Sequence, residues 1–361
     1  MCKDIGSIYF LSKENLSIDK GNKFLSEDRF LFSLCRESIY SIAILYENSN
    51  KNVLLPAYTC DTVIAPFRQL GWKCHYFSLN KSLRIDKQSF INEIDNDNPA
   101  IVLVHPYYGM DLIDEEIELL KYAKSKKSDI IVDITQSIYT EQYIDFVDYY
   151  VGSYRKWNSI PDGGFLKINN KNKKDVIKRN ILIPDDENIV FVSAQSAAMV
   201  LRKMYFETND EQIKTISRNL TKAADVYSEE NIKPHLMSEL SQILITKEDV
   251  ENNKTKRLLN YEYLSKNIHE NNLISFVVKD ILSIKSAPLY FPIYTSDRCK
   301  VQKKLIEEHI YAPILWPVED DKVLINKVIN EIYDTVLVIP IDQRYEIDDM
   351  KKIVNIINSL S

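Results

Sequence analysis

Apolar and polar positions alternate in blocks through the first half of the chain. Short apolar runs at Val53–Leu55, Lys73–Phe77, Ile101–Val104, Asp129–Val132 and Tyr149–Val151 have the length and composition of buried strands. Between them the spacing becomes helical. Ile39, Ile42, Ala43 and Tyr46 keep it in one stretch, and Ile113, Ile117, Leu120 and Ala123 in another. Strands separated by helices predict an α/β fold with a mostly parallel central sheet and helices on both faces. Such sheets bind ligands on the loops that follow the carboxyl ends of their strands. Those loops are Pro56-Ala57-Tyr58-Thr59-Cys60, His105-Pro106-Tyr107-Tyr108-Gly109, Asp133-Ile134-Thr135-Gln136 and Gly152-Ser153-Tyr154-Arg155-Lys156.

From about Glu211 to Ile268 the pattern turns helical and charged. Strand-like Ile274–Val278 and Leu289–Tyr294 follow, then helices at Arg298–His309 and Asp348–Leu360, which predict a smaller C-terminal α/β domain. We divide the chain into an N-terminal segment 1–34, a large domain 35–240 and a small domain 241–361. The boundary falls within 231–250, where no Pro/Gly-rich linker marks it.

Composition narrows the function. At 361 residues, 45% apolar and 27% charged, the chain is large enough for two domains and too apolar for disorder. Its net charge of −6 argues against nucleic acid or an anionic membrane as the main partner. The apolar runs Ser41–Tyr46 and Val336–Ile341 are far short of the roughly 20 residues that span a bilayer. Met1-Cys2-Lys3-Asp4 leads into no apolar stretch, so no signal peptide is expected. Five scattered cysteines without Cys-x-x-Cys read as reduced thiols in a cytoplasmic protein. Glycine-rich nucleotide loops, His-Glu-x-x-His and the hydrolase nucleophile elbow do not occur, and the five histidines show no metal spacing. No metal is expected.

The seven glycines are informative by their scarcity, because Gly152, Gly163 and Gly164 cluster around Lys156. A lysine after a buried strand, among aromatics and before a glycine turn, is expected to be partly desolvated and so suited to nucleophilic use. Asp133 ends an earlier strand, and a carboxylate there needs a cationic partner, hydrogen bonds or a proton. A lysine that forms a Schiff base, with an aspartate opposed to a pyridinium nitrogen, is the pairing of pyridoxal-phosphate enzymes. Cys35-Arg36-Glu37-Ser38 opens a helix whose N–H groups suit a phosphate, with Ser38 a capping type and Arg36 a bidentate ligand. Ser153 is placed to bond the same phosphate.

At this point the chain resembles the DegT/DnrJ/EryC1/StrS sugar aminotransferases, pyridoxal-phosphate enzymes of fold type I. The similar text is Val53 to Thr59, Val104-His105 to Tyr108-Gly109, Val132 to Ser137, Met237-Ser238-Glu239-Leu240, Ala312–Pro317 and Ile341 to Tyr345, within residues 30–361. The resemblance implies that Lys156 holds the cofactor and shuttles a proton. It implies that Asp133 keeps the pyridine nitrogen protonated and that Gln136 lies near the phenolic oxygen or ring face. Ser153 and the turn of Arg36, Glu37 and Ser38 would bind the phosphate. Cys60 would lie against the ring, and His105, Tyr107 and Tyr108 on the substrate side. It implies a homodimer acting on an amine donor such as glutamate and a keto group, possibly on a nucleotide-linked sugar. The chain departs from the family pattern in four ways. Ser153 precedes the lysine by three residues where five are usual, Arg36-Glu37 replaces Gly-Thr, and Val132 precedes the aspartate in place of Glu. The asparagine that often precedes the Met-Ser-Glu element is Pro234 here or is displaced. A dehydratase, lyase or other pyridoxal-phosphate reaction, and a catalytically idle regulatory binder, are the alternatives.

Overall fold

The computed structural model describes residues 4–12, 28–169, 174–180, 185–229, 232–278, 284–318 and 324–360. The chain divides into two compact units, each discontinuous in sequence. Met1–Ser7, Asn48–Asp148 and Glu251–Ser361 form the first, and Ile8–Glu47 and Tyr149–Val250 the second. This differs from the contiguous division at about 240. A local pattern shows where one kind of element gives way to another, but not that the chain leaves a unit and later returns to it.

In the first unit, β2 (Asn52–Pro56), β3 (Lys73–Phe77), β4 (Ile101–Val104) and β5 (Asp129–Asp133) lie parallel in the order β5-β4-β2-β3. Every residue of β4, and all but the first of β2 and β5, is buried, as expected for strands covered on both faces. The crossover helices are α2 (Asp61–Gln69), α3 (Lys87–Asp97) and α4 (Asp114–Ser125). Asp86 caps α3 by accepting from the Ser89 N–H at 2.8 Å. Glu116 closes the start of α4 on the Ile113 N–H at 3.1 Å.

The same unit holds a three-stranded antiparallel sheet, β10 (Val336–Pro340), β9 (Tyr290–Thr295) and β8 (Ile274–Phe276). Helices α9 (Val250–Asn267), α10 (Arg298–Glu307), α11 (Lys327–Thr335) and α12 (Ile347–Asn358) accompany it. Tyr261, Leu264, Phe291, Ile293, Leu337 and Ile353 are among the residues that fill its core.

The second unit carries β1 (Arg29–Phe32), β6 (Tyr149–Ser153) and β7 (Gly164–Ile168), antiparallel in the order β1-β7-β6. Its helices are α1 (Cys35–Ile44), α5 (Lys174–Asn180), α6 (Asp186–Thr208), α7 (Glu211–Glu229) and α8 (Glu239–Ile245). Helix α6 stops at Asn209, whose left-handed φ of 55° ends it. Parallel strands alternating with helices in the first unit give the α/β class that the pattern predicts. Among the described residues no helix is long and apolar enough to cross a membrane.

Candidate active site

Strand β5 delivers Asp133 to its carboxyl end, where the residue is 5% exposed. One carboxylate oxygen accepts the Thr135 N–H at 2.9 Å, and the other lies 3.4 Å from His105 Nδ1. His105 follows β4, and its Nε2 lies 2.8 Å from the Thr59 hydroxyl, which follows β2. Its neighbours are therefore polar groups at the ends of β2 and β5, where the sequence reading set it toward a substrate. Gln136 accepts the Tyr108 N–H at 3.2 Å through Oε1. Its Nε2 is buried without a partner among the described residues. A buried amide donor left in that state favours an acceptor oxygen.

The aromatic residues of the same loops are engaged with one another. Tyr107 donates its hydroxyl to the Tyr58 carbonyl at 2.5 Å, and the Tyr108 and Tyr58 hydroxyls lie 3.3 Å apart. All three are buried, and burial raises their phenol pKa values. The Tyr107 and Tyr108 hydroxyls therefore have partners inside the protein. Tyr108 adopts a φ of 48°, and Gly109 a φ of 80° where an added Cβ would meet the Ser286 carbonyl oxygen at 2.3 Å. Only glycine fits that position. Cys60 is the half-buried N-cap residue of α2, with its sulfur 3.0 Å from the Thr62 hydroxyl.

In the second unit, β6 ends at the buried Ser153, and the next residues turn tightly. The N–H groups of Trp157 and Asn158 close on the Tyr154 carbonyl at 2.9 and 3.2 Å. Tyr154 and Trp157 take the buried positions, and Lys156 between them is exposed. The expected partial desolvation of Lys156 is thus corrected, since the turn gives its inward places to the two aromatics.

Helix α1 starts after Leu34 with no side-chain cap. Ser38 is not the cap that the sequence suggests. It lies one turn inside the helix and donates its hydroxyl to the Cys35 carbonyl at 2.6 Å. Glu37 is also reassigned. Its carboxylate accepts the His235 N–H at 3.0 Å and lies 3.1 Å from His235 Nδ1, so it faces a histidine and not a phosphate. Arg36 reaches the Ser228 carbonyl at 3.3 Å. Burial lowers the pKa of Arg155, with Asp225 opposing and the neighbouring Arg36 adding to the effect. Arg155 lies 3.8 Å from the Asp225 carboxylate, and Arg36, in the first turn of α1, is the second guanidinium in these surroundings.

Two motifs distant in sequence meet in this unit. Asp162, fully buried, accepts the Ser238 N–H at 2.8 Å, the Ser238 hydroxyl at 2.5 Å and the Ser241 hydroxyl. Burial raises its pKa, and these bonds oppose the rise. The turn before β7 is in this way tied to the start of α8, where Ser238 is the N-cap.

His235 lies between two carboxylates, with Asp185 3.4 Å from Nε2 on the side opposite Glu37. Burial disfavours its charge, but the two carboxylates outweigh burial and hold the ring above its ordinary value. The folded pKa thus exceeds the unfolded value of about 6.5. The stabilisation is complete below that pH and is lost as pH rises through the folded value. Wild-type melting temperature should fall as pH rises from about 6.5 through the folded value, by a component that His235→Gln lacks. Equal pH slopes in a differential scanning series would show that the ring carries no extra charge in the folded state.

No family model matches the chain, and no curated protein matches it in sequence. Solved structures match it over most of its length. The sugar aminotransferase CalS13 from Micromonospora echinospora is 12% identical, with a TM-score of 0.66 over 92% of this chain and 87% of that one. A DegT DnrJ EryC1 StrS aminotransferase from Brucella abortus is 14% identical, with a TM-score of 0.65 over 98% and 91%. NtdA from Bacillus subtilis, solved with bound cofactor PMP, is 15% identical, with a TM-score of 0.64 over 92% and 73%. The fold is that of the DegT/DnrJ/EryC1/StrS aminotransferases.

Within this aminotransferase fold, the structure gathers Thr59, His105, Asp133, Gln136 and the surrounding tyrosines in the first unit. It places Arg36, Glu37, Ser38, Ser153 and Lys156 in the second. Sequence reasoning passed over Trp316, which has a φ of 58° and lies with its ring centroid 4.8 Å from Tyr58 and 5.9 Å from His105. The local text Ala312–Pro317 was visible, but no spacing distinguishes a tryptophan that stacks on residues far away in sequence. His75, Glu93 and Asp97 also come together, with one ligand-type atom of each within 4.8 Å of the others, although sequence spacing gives no hint of it. His75 Nδ1 lies 3.0 Å from Asp97, and burial followed by the neighbouring Asp97 raises the Glu93 pKa.

Proposed function

We propose that this chain is a pyridoxal-phosphate-dependent aminotransferase. In this reading it moves an amino group from an amino-acid donor, glutamate in the first instance, to a keto group on a nucleotide-linked sugar. One observation carries the reading: on an aminotransferase fold, a buried Asp133 stands beside a Gln136 whose buried amide donor lacks a partner among the described residues. A carboxylate that can only accept suits a protonated ring nitrogen, and an amide donor suits a phenolic oxygen. An uncapped α1, with Arg36 and Arg155 nearby, suits a phosphate. The residues present fit the cofactor. NtdA, which shares the fold, was solved with bound PMP, and CalS13 is described as a sugar aminotransferase.

When bound, the cofactor supplies an electron sink for the charge left as a proton leaves the donor carbon. The protein residues do the rest. Asp133 keeps a proton on the ring nitrogen, and Lys156 provides the amine that takes up and returns the proton. Ser153, Arg36 and the backbone of α1 hold the phosphate, and Gln136 orients the ring. We place a second copy of the chain against α6 and α7, where Ile189, Val200, Met204, Ile216, Val226 and Tyr227 expose apolar surface. Among the described residues no disulfide forms, in keeping with a cytoplasmic location.

Addition of pyridoxal phosphate to purified protein should produce the visible absorbance band of the lysine-bound cofactor. Glutamate should then convert that band to the amine form. A protein that binds the cofactor but is unchanged by any amino acid would be an idle binder. One that releases water or ammonia from its substrate would be a dehydratase or lyase.

A further inference from the structure

We propose that Thr59, His105 and Asp133 form a hydrogen-bonded relay in which His105 is the positioning residue for the Asp133 carboxylate. The inference rests on the cofactor reading above. It concerns residues that lie at the carboxyl ends of three neighbouring parallel strands, β2, β4 and β5.

The direction of the relay follows from what each atom can do. An ionised carboxylate only accepts, so the His105 nitrogen that faces Asp133, Nδ1, is the one that carries the proton. In a neutral ring Nε2 is then an acceptor, and the Thr59 hydroxyl 2.8 Å away donates to it. The chain runs from the Thr59 O–H to Nε2, and from Nδ1–H to the carboxylate. The second carboxylate oxygen accepts the Thr135 N–H at 2.9 Å. Each oxygen thus has one protein donor and keeps a lone pair for a ligand cation. Nδ1 lies 3.4 Å from the carboxylate oxygen, within ion-pair range and longer than an ordinary N–H···O bond.

The surroundings exclude water from the relay. The side chains of His105 and Asp133 are each 5% exposed. Tyr107 meets the imidazole edge-on with centroids 5.4 Å apart, and Trp316 covers it at 5.9 Å. Trp316 holds a left-handed backbone, which is strained for a bulky residue and persists where surrounding contacts impose it. A histidine needed only for packing would not require side-chain partners on both nitrogens, one of them a carboxylate. The relay fixes the aim of Asp133, so that it meets a cationic ring nitrogen without rearrangement.

The test uses the full-length protein and four variants. Thr59→Val removes the hydroxyl at constant shape. His105→Phe keeps a ring without nitrogens, and His105→Asn restores an N–H near the Nδ1 position. Asp133→Ala sets the limit. In protein freed of cofactor, ¹⁵N NMR should show a neutral His105 protonated at Nδ1, with the Nε2 signal displaced in Thr59→Val. For pyridoxal phosphate, His105→Phe should raise Kd about tenfold or more, the scale of a lost hydrogen bond to a charged group. His105→Asn should recover most of that loss, and the pH profile of the visible band should shift in His105→Phe. A proton on Nε2, or His105→Phe binding like wild type, or His105→Asn no better than His105→Phe, would each overturn the relay. Failure of the wild type to take up pyridoxal phosphate would instead sink the cofactor reading, while the NMR result still decides the relay.

Discussion

Lys156→Ala is expected to abolish the visible band of the bound cofactor and to lower turnover by about 10²–10⁴-fold, the range supplied by a positioned proton-transfer group. The fold should survive. Lys156 is exposed on its turn, and exposed side chains away from special features change stability by no more than about 0.5 kcal/mol. Lys156→Arg should be as inactive as the alanine variant, because a guanidinium stays protonated and cannot act as the amine. Absorbance spectra and single-turnover kinetics of the three proteins provide the check. Near-wild-type turnover in either variant would remove the lysine from the reaction.

The largest effect on stability is expected from Gly164→Ala. A Cβ at Gly164 would lie 2.4 Å from the Cys35 nitrogen and 2.5 Å from the Leu34 carbonyl carbon. Both are backbone atoms where the chain enters α1, so the clash cannot be relieved by turning a side chain. Either β7 or the first turn of α1 must move, with an expected cost of about 3 kcal/mol. Gly71→Ala is the control, since an added Cβ there meets nothing within 4 Å and only the φ of 74° opposes it. That strain is worth about 1–2 kcal/mol. Urea unfolding should rank Gly164→Ala well below Gly71→Ala, and an equal loss would show that α1 shifts freely. Gly164, near Lys156 in sequence, thus has a packing reason: it lets the start of α1 approach β7 closely.

Much of the architecture was legible because buried strands are short, local and chemically distinct. Lys73–Phe77 and Ile101–Val104 are strands with the bounds that the pattern predicts, and β2, β5 and β6 each extend one or two residues further at one or both ends. Other elements were hidden for identifiable reasons. Helix α2 contains Pro66, which reads as a helix breaker. Helix α6 leaves Ile189, Val200 and Met204 exposed, so its apolar residues do not mark a single buried face. Strand β1 is four residues long and joins β7 in an antiparallel ladder, too short for a period of two to stand out.

The chemistry divides along the same physical line. Residue types and their place after strands singled out Asp133, His105, Gln136 and Lys156 without coordinates, because a loop after a buried strand is a local property of the chain. The partners of the polar groups could not be read in that way. Glu37 meets a histidine 198 positions away, and Asp162 meets serines on α8. His105 turns to Thr59 and Asp133. A buried polar atom must find a partner, but which partner it finds depends on the chain segments that packing brings within about 3 Å. Local order settled which elements and candidate residues the protein has, and tertiary packing alone decided what each buried side chain bonds to.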